Sequence, residues 1–549
     1  MRHLHIDIET YCDLDVSDVG VYRYAEDPSF RIILFAYSFD EGPVYALDTS
    51  GDTFPGESIP ADVWKALTAP DVQKIAHNAN FEFVCIGTHY GLSLDLTQWF
   101  CTMIGAAYLG LPLSLDKIGQ ILGLSEQKDT RGKALISYFC KPCKPTKSNG
   151  GRTRNLPEHA HEKWAAFTEY NRQDVKTEME IYRYLMRFPG LSQTEWGNWV
   201  LDQVINATGI TIDLELIKAA LEANDEFTKG VHDELVNITG IDNPNSLPQL
   251  KRWLCQELGY EVHSLGKDYL KDALDGDLLP DHVQRVFRLR QLASNTSISK
   301  YDTMLAYMCK DGRIRGLLQF YGANRTGRFA GRGVQIQNLK RTLKKGLETA
   351  REAVRKGIAD LLYDNLPDVI SRITRTALVA APGYSLVVSD FSAIEARVLA
   401  WEAGEEWVLD VFHTHGKIYE ATAANMFHVP LEMISHGSDL RAKGKVATLA
   451  LGYQGSVGAL IAMGALREGL TEGELPAIVK AWRSANPNIV KYWREVEAAA
   501  KHVIEKKTRY VLRKKYCSLI FLMTVATFSL NYPVAGVLAI GVRPWKKAS

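Results

Sequence analysis

No internal repeat and no run of low complexity marks this 549-residue chain, and no net charge either: 64 Lys and Arg balance 64 Asp and Glu. That balance argues against a small all-basic nucleic-acid module, although a large protein can set a basic cleft opposite an acidic surface. Cysteine is scarce, eight in all, and no apolar leader opens the chain, which reads as a reduced, cytoplasmic protein. Cys140 and Cys143 form a C-x-x-C with no second pair nearby, so zinc is not expected there. What is present is ordinary for globular protein, 46% apolar and 23% charged residues, and the length suits three or four domains.

The charge is clustered. Segment 340–356 holds seven cations against two glutamates, and segment 501–515 seven against Glu505. Segment 141–154 holds Lys141, Lys144, Lys147, Arg152 and Arg154 with no acid. Each alone reads as a solvated face or loop; three in one chain point to a polyanionic partner. Residues 1–185 alternate strands (H-L-H-I-D-I, R-I-I-L-F-A-Y-S-F, V-Y-A-L) with helices and close on a helix around 157–187, predicting an α/β domain. Residues 190–335 read as mostly helical, with amphipathic runs at Leu216 to Leu235 and in D-H-V-Q-R-V-F-R-L-R-Q-L. A basic helix follows within 336–378, then a strand and helix from 384, and helices to about 510.

Asp7 and Glu9 lie two apart on the opening strand, so both carboxylates share one sheet face. Alone, D-x-E is a solvated edge-strand face, but close like charges are costly without a cation between them. H-N-A-N-F-E at 77–82 supplies Glu82, and Y-N-R-Q-D at 170–174 puts Tyr170 and Asp174 one helical turn apart. Four acids and a tyrosine from three elements suit a two-metal phosphodiester site. In this order the three segments resemble the motifs of DEDD-type 3′-5′ proofreading exonucleases, tyrosine subclass. The resemblance implies Asp7, Glu9, Glu82 and Asp174 as metal ligands and Tyr170 as a catalytic group. Glu82 departs from the aspartate usual at its position.

A second constellation begins at D-F-S-A-I-E-A-R (390–397), where Asp390 ends the apolar run L-V-V-S-D. Alone, Ser392 and Glu395 fit a helix capping box. R-A-K-G-K-V-A-T-L-A-L-G-Y-Q-G (441–455) then spaces Arg441, Lys445, Leu449 and Tyr453 four apart, on one helical face, where two cations can grip phosphate oxygens. Together these runs resemble motifs A and B of family A DNA polymerases, most closely the phage-type branch. T-G-R-F-A-G-R-G-V-Q-I-Q-N-L (326–339) is similar to the family's template-primer motif, and N-P-N-S-L-P-Q-L (243–250) to its thumb. The resemblance implies that Asp390 binds catalytic metals and Glu395 excludes a ribose 2′-hydroxyl. It implies that Arg441 and Lys445 bind the triphosphate, Lys445 also as an acid toward pyrophosphate. Tyr453 is implied near the template base and Leu449 on the nucleotide-binding face. Arg328, Gln337, Asn338 and Arg397 are implied contacts to DNA.

The family's second palm aspartate, in an H-D-E turn, is not found after motif B. V-H-D-E-L at 231–235 lies upstream, within an amphipathic helix, and reads as a polar helix face. From Cys517 to Val542 there is no charge, but N-Y-P and scattered Gly and Pro argue against a membrane helix. A frameshift near Leu530 is the expectation, leaving a C-terminally truncated product with an incomplete palm.

The expected architecture is α/β multidomain: a ribonuclease H-like exonuclease (1–188), a thumb-like helical region (189–335), the start of a right-hand polymerase palm (336–400), fingers (401–500) and an incomplete palm return with an aberrant tail (501–549). The expected activity is DNA-directed DNA polymerisation in replication, with 3′-5′ proofreading. Mg²⁺ is the expected ion, primer-template DNA and deoxynucleoside triphosphates the partners, and the cytoplasm, of a host if phage-encoded, the location. An exonuclease-only product is the alternative.

Overall fold

The computed structural model describes residues 2–506 except 54–55, 127–131, 189, 267–268, 271–272, 275–278, 294–297 and 324–325, together with strands Val511–Leu512 and Leu519–Ile520. The frameshift expected near Leu530 and the uncharged span from Cys517 to Val542 lie outside the described residues. Among the described helices none is long and apolar enough to cross a membrane.

The chain forms two compact units, Met1–Leu386 and Val387–Ser549. The first opens on a five-stranded mixed sheet of order β3-β2-β1-β4-β5: β1 (Arg2–Tyr11), β2 (Arg31–Phe39), β3 (Tyr45–Asp48), β4 (Val72–Ala76) and β5 (Trp99–Cys101). β1 pairs antiparallel with β2 and parallel with β4, so the strand carrying Asp7 and Glu9 is central. The D-x-E motif is therefore not on an edge strand. Alternation decides what each face does. Leu4, Ile6 and Ile8 turn into the main core with Val84 and Ile86 of helix Asn80–Tyr90. His5, Asp7 and Glu9 face the other way, toward the long helix His161–Leu185.

Helix Gln193–Thr208 joins this unit through Trp199, which shares the sheet's core with Phe320. Its Asp202 is 1% exposed, and burial pushes that carboxyl up to about 6. The proton is held more tightly in the folded than in the unfolded chain. Stability present below about pH 4 is therefore lost as pH rises through about 6. Asp202→Asn is expected to stabilise the chain by about 1–2 kcal/mol at pH 8 and to do nothing near pH 3.5, read from denaturant midpoints.

The helical stretch is organised by Leu214–Thr239. Its first half packs Leu216, Ile217 and Ala220 with Tyr301, Met304, Val354 and Ile370. Its second half packs Val231 and Leu235 with Leu250, Leu254 and Phe287. V-H-D-E-L is a helix face as expected: Val231 and Leu235 point inward, and Glu234 accepts from Arg285 Nε at 2.6 Å and Nη2 at 2.8 Å. The basic helix Leu347–Arg355 belongs to the same core as residues 212–317. The boundary between units thus falls after Leu386, inside the 336–400 segment expected to form one palm piece.

From Ile394 to Lys506 the regular structure of the second unit is helical. Its largest core gathers Val446, Ala447, Leu451, Leu460, Leu475, Ile478 and Trp482. The apolar run before Asp390 is not the expected strand. Residues 384–391 have no regular structure, and Val387 and Val388 are 93% and 91% exposed. A strand needs a neighbour to take its backbone hydrogen bonds, and among the described residues no strand pairs with this segment. The Ser392–Glu395 capping box is also corrected. The residue capping helix Ile394–Ala403 is Ala393, at φ 53°, with no side-chain cap bond.

Candidate active sites

In the first unit, Asp7, Glu9 and Asp174 converge. Each offers a carboxylate oxygen within 4.8 Å of the others. β1 supplies the first two by its period of two, and the long helix supplies Asp174. Asn171 Nδ2 donates to Asp7 Oδ2 at 2.7 Å and to the Asp7 carbonyl at 3.3 Å, fixing that carboxylate's rotamer. Tyr170, one turn before Asp174, is 1% exposed and hydrogen-bonds to it. Burial first, then the Asp174 charge, drives the Tyr170 hydroxyl well above its usual range, so it stays protonated and a donor. The ring has Gly132 against it: a Cβ there would lie 2.1 Å from Tyr170 Cε2, so only glycine lets helix Gly132–Phe139 approach.

Glu82 sits in the first turn of helix Asn80–Tyr90 and is 3% exposed. It lies outside the tight trio, but its carboxyl is raised well above the ordinary range, by burial first and then by the Asp7 charge. Its Oε2 is buried without a hydrogen-bond partner among the described residues. A buried carboxylate oxygen beside three more carboxylates is a donor set for a hard cation, which would relieve the repulsion.

Three neighbours escape sequence reasoning. Asn171 is one. Cys140 Sγ lies 3.8 Å from Glu9 Oε2. His5 Nδ1 meets Glu178 Oε2 at 2.6 Å, both side chains buried. A signal for the last exists: H-x-D-x-E continues the strand's period, and Y-x₃-D-x₃-E the helix's, so the two polar stripes cross.

In the second unit, helix Asp439–Leu451 buries Gly444, Val446, Ala447, Ala450 and Leu451 and leaves Lys445 and Leu449 exposed. Gly444 is the point of closest approach to helix Ile418–Phe427, where a Cβ would lie 2.2 Å from the Tyr419 carbonyl oxygen. Arg441 Nε donates to Glu420 Oε1 at 2.6 Å, from within the same face. Burial acts to raise the Glu420 carboxyl, but the Arg441 bond and charge, a backbone hydrogen bond and the Lys417 charge together outweigh it and hold it below the ordinary range. Tyr453 corrects the four-residue spacing: the helix ends at Leu451, so the ring lies beyond it, 68% exposed. Gln454 at φ 61° turns the chain there, and Gly455 sits where a Cβ would meet the Ala450 carbonyl at 2.0 Å.

Asp390 is exposed, and Glu395 lies in the first turn of Ile394–Ala403. Arg397 folds back: Nε donates to the Ser392 carbonyl at 2.8 Å and the guanidinium lies over the Phe412 ring at 4.0 Å. In the first unit, Arg328 begins the exposed end of strand Arg328–Gly331, and Gln337 and Asn338 are exposed on the short helix Ile336–Asn338.

Comparison with known proteins shows the family of the chain. The family described as DNA polymerase family A matches residues 215–525. A DNA polymerase of Bacillus phage SP02 is 52% identical over 511 residues, covering 92% of this chain and 78% of that protein. The thermostable DNA polymerase I of Thermus thermophilus is 29% identical over 238 residues, 42% of this chain and 25% of that one. Among solved structures, the polymerase domain of Pol1 from M. smegmatis, in complex with DNA primer-template and dNTP, superposes with a TM-score of 0.55 at 16% identity, over 92% of this chain and 76% of that one, a likeness of fold. With the family matched over more than half its length and a phage polymerase 52% identical along most of it, this chain belongs to family A of the DNA polymerases, enzymes that are DNA-directed DNA polymerases.

Proposed function

We propose that this chain couples templated nucleotide addition to 3′-5′ hydrolysis of mispaired primer ends, with Mg²⁺ as the ion at both sites. The observation that carries the hydrolytic half is the convergence of Asp7, Glu9 and Asp174, with Glu82 buried beside them, on a rigid central strand and a long helix. The mixed 3-2-1-4-5 sheet supports a ribonuclease H-like exonuclease built on residues 1–188. Asp7, Glu9, Asp174 and Glu82 would hold the ions, which when bound activate water and steady a leaving oxygen. Tyr170 donates a hydrogen bond at the edge of the trio and orients the attacking water. Asn171 keeps Asp7 aimed.

For polymerisation, the exposed face of Asp439–Leu451 supports a triphosphate-binding role for Lys445 and Arg441, with Glu420 fixing Arg441 in place. Asp390 would hold metal, Glu395 would sense the sugar, and Leu449 and Tyr453 would lie against the incoming pair. Arg328, Gln337, Asn338 and Arg397 serve primer-template DNA. A second reading, an exonuclease-only product, is favoured by one observation: among the described residues, Asp390 is not part of any group of three metal-ligating side chains. Primer extension by the purified chain decides between them.

Metal removal tests the hydrolytic half. Degradation of a 5′-labelled single strand should cease in EDTA and return with excess Mg²⁺. Hydrolysis that continues in EDTA contradicts the carboxylate site.

A further inference from the structure

The loop at 141–154 is a built surface. Asn149 organises it with five side-chain bonds: Oδ1 accepts from Thr146 N at 2.9 Å and Gly151 N at 3.1 Å, and Nδ2 donates to the Lys144 carbonyl at 2.9 Å, the Arg152 carbonyl at 3.2 Å and Cys143 Sγ at 3.8 Å. Gly151 N donates to the Thr146 carbonyl at 2.9 Å, and Cys143 N to the Thr153 carbonyl at 2.7 Å. Gly150 and Gly151, at φ 69° and 77°, make the turn that no other residue takes cheaply.

Both ends of the loop are anchored beside the carboxylate trio. At one end, Cys140 lies against Glu9, and Lys141 Nζ pairs with Asp15 Oδ2 at 2.5 Å. At the other, the Arg154 guanidinium covers the Tyr11 ring at 3.9 Å, two residues past Glu9 on β1, and Asn155 Nδ2 donates to the Tyr138 carbonyl at 2.9 Å. Lys163 lies over the Tyr138 ring at 4.2 Å, adding a cation and an aromatic to the same edge.

The charge on this frame is left open. Lys144 and Lys147 are exposed, and no described carboxylate lies within ion-pair distance of either. Holding cations together without counter-charges raises the energy of the free protein, and a polyanion relieves it. A loop backbone ordered beforehand loses little freedom on binding. An ordered basic edge with an aromatic, next to a trio of acids, suits a single strand, whose backbone follows cations and whose bases stack on rings.

We propose that the 141–154 loop is a docking surface for the phosphates of single-stranded DNA whose 3′ end reaches the Asp7–Glu9–Asp174 site. The assignment rests on the exonuclease reading above and adds a substrate-guiding element outside the residues that hold metal.

The test uses the full chain, a fluorescein-labelled ten-nucleotide oligothymidylate and the K144E/K147E and K144Q/K147Q variants. The logarithm of kcat/KM for degradation should fall with the logarithm of salt concentration less steeply in the variants, by a slope of about 1.4 for two lost phosphate contacts. Over a fourfold rise in salt, that amounts to about a sevenfold smaller loss than in the wild-type chain. The change should sit in KM, should be larger on the ten-nucleotide strand than on a dinucleotide, and should be larger in the charge-reversed than in the neutral variant. Equal slopes in all three proteins overturn the proposal. A larger effect on a blunt ten-base-pair duplex than on the single strand also overturns it. If the wild-type chain degrades nothing, the exonuclease reading falls on its own, and the loop is then judged by the salt slope of oligothymidylate binding, read by fluorescence anisotropy.

Discussion

Replacing Asp7 and Glu9 together with alanine is expected to abolish degradation of a single-stranded 3′ end, by about 10³-fold or more, because each removed carboxylate takes several kcal/mol of transition-state stabilisation with it. The fold should survive. Both side chains point away from the main core of Leu4, Ile6 and Ile8, and their neighbours include a like charge at Asp174 and the buried Glu82. Without metal, the carboxylates of Asp7, Glu9 and Asp174 repel one another, so the variant's unfolding midpoint should equal or exceed the wild-type value. A loss of activity with a lowered midpoint would mean that the acids hold the structure together rather than act. Asn171 sharpens the comparison. Asn171→Ala leaves every acid in place but frees the Asp7 rotamer, so its loss should be much smaller than that of the double variant, about 10–100-fold.

Lys445→Ala carries the second large effect. Lys445 is exposed on a helix whose opposite side is core, so truncation should cost little stability. On the role proposed for it, at the triphosphate and as an acid toward pyrophosphate, its loss should lower the rate of single-nucleotide addition by about 10²–10⁴-fold. Lys445→Arg keeps the charge but places a guanidinium where a compact ammonium acts, and should recover nucleotide affinity better than rate. Arg441 behaves differently because Glu420 holds it at 2.6 Å. Removing Arg441 strands a buried carboxylate, so part of that variant's loss should appear as stability. A Lys445→Ala chain that adds nucleotides at the wild-type rate contradicts the assignment.

Much of the carboxylate site in the first unit is legible in the sequence because it is built from two regular periods. A strand's period of two puts Asp7 and Glu9 on one face, and a helix's turn puts Tyr170 over Asp174. The structure brings those stripes together. The neighbours that tune them are not legible, because they depend on how the elements cross. Nothing local marks Asn171 as the partner of Asp7, or Cys140 as a neighbour of Glu9 across 131 residues. In the second unit the core-facing residues of Asp439–Leu451 follow the expected period, but Tyr453 lies past the helix end because Gln454 and Gly455 reverse the chain. The apolar run before Asp390 misleads for a different reason. Val387 and Val388 have the composition of a buried strand, yet pairing is a property of a sheet, and no described strand pairs with them.

As proposed, one chain carries two separable sites, one that adds nucleotides and one that removes them. A primer-template ending in a 3′ mismatch, supplied with all four triphosphates and Mg²⁺, tests it most directly when given to the wild-type chain, Asp7→Ala/Glu9→Ala and Asp390→Ala. The wild-type chain should trim the mismatch and extend, the first variant should stall on the mismatch but extend a matched primer, and Asp390→Ala should trim without extending. Trimming that survives in Asp7→Ala/Glu9→Ala, or extension that survives in Asp390→Ala, would contradict it.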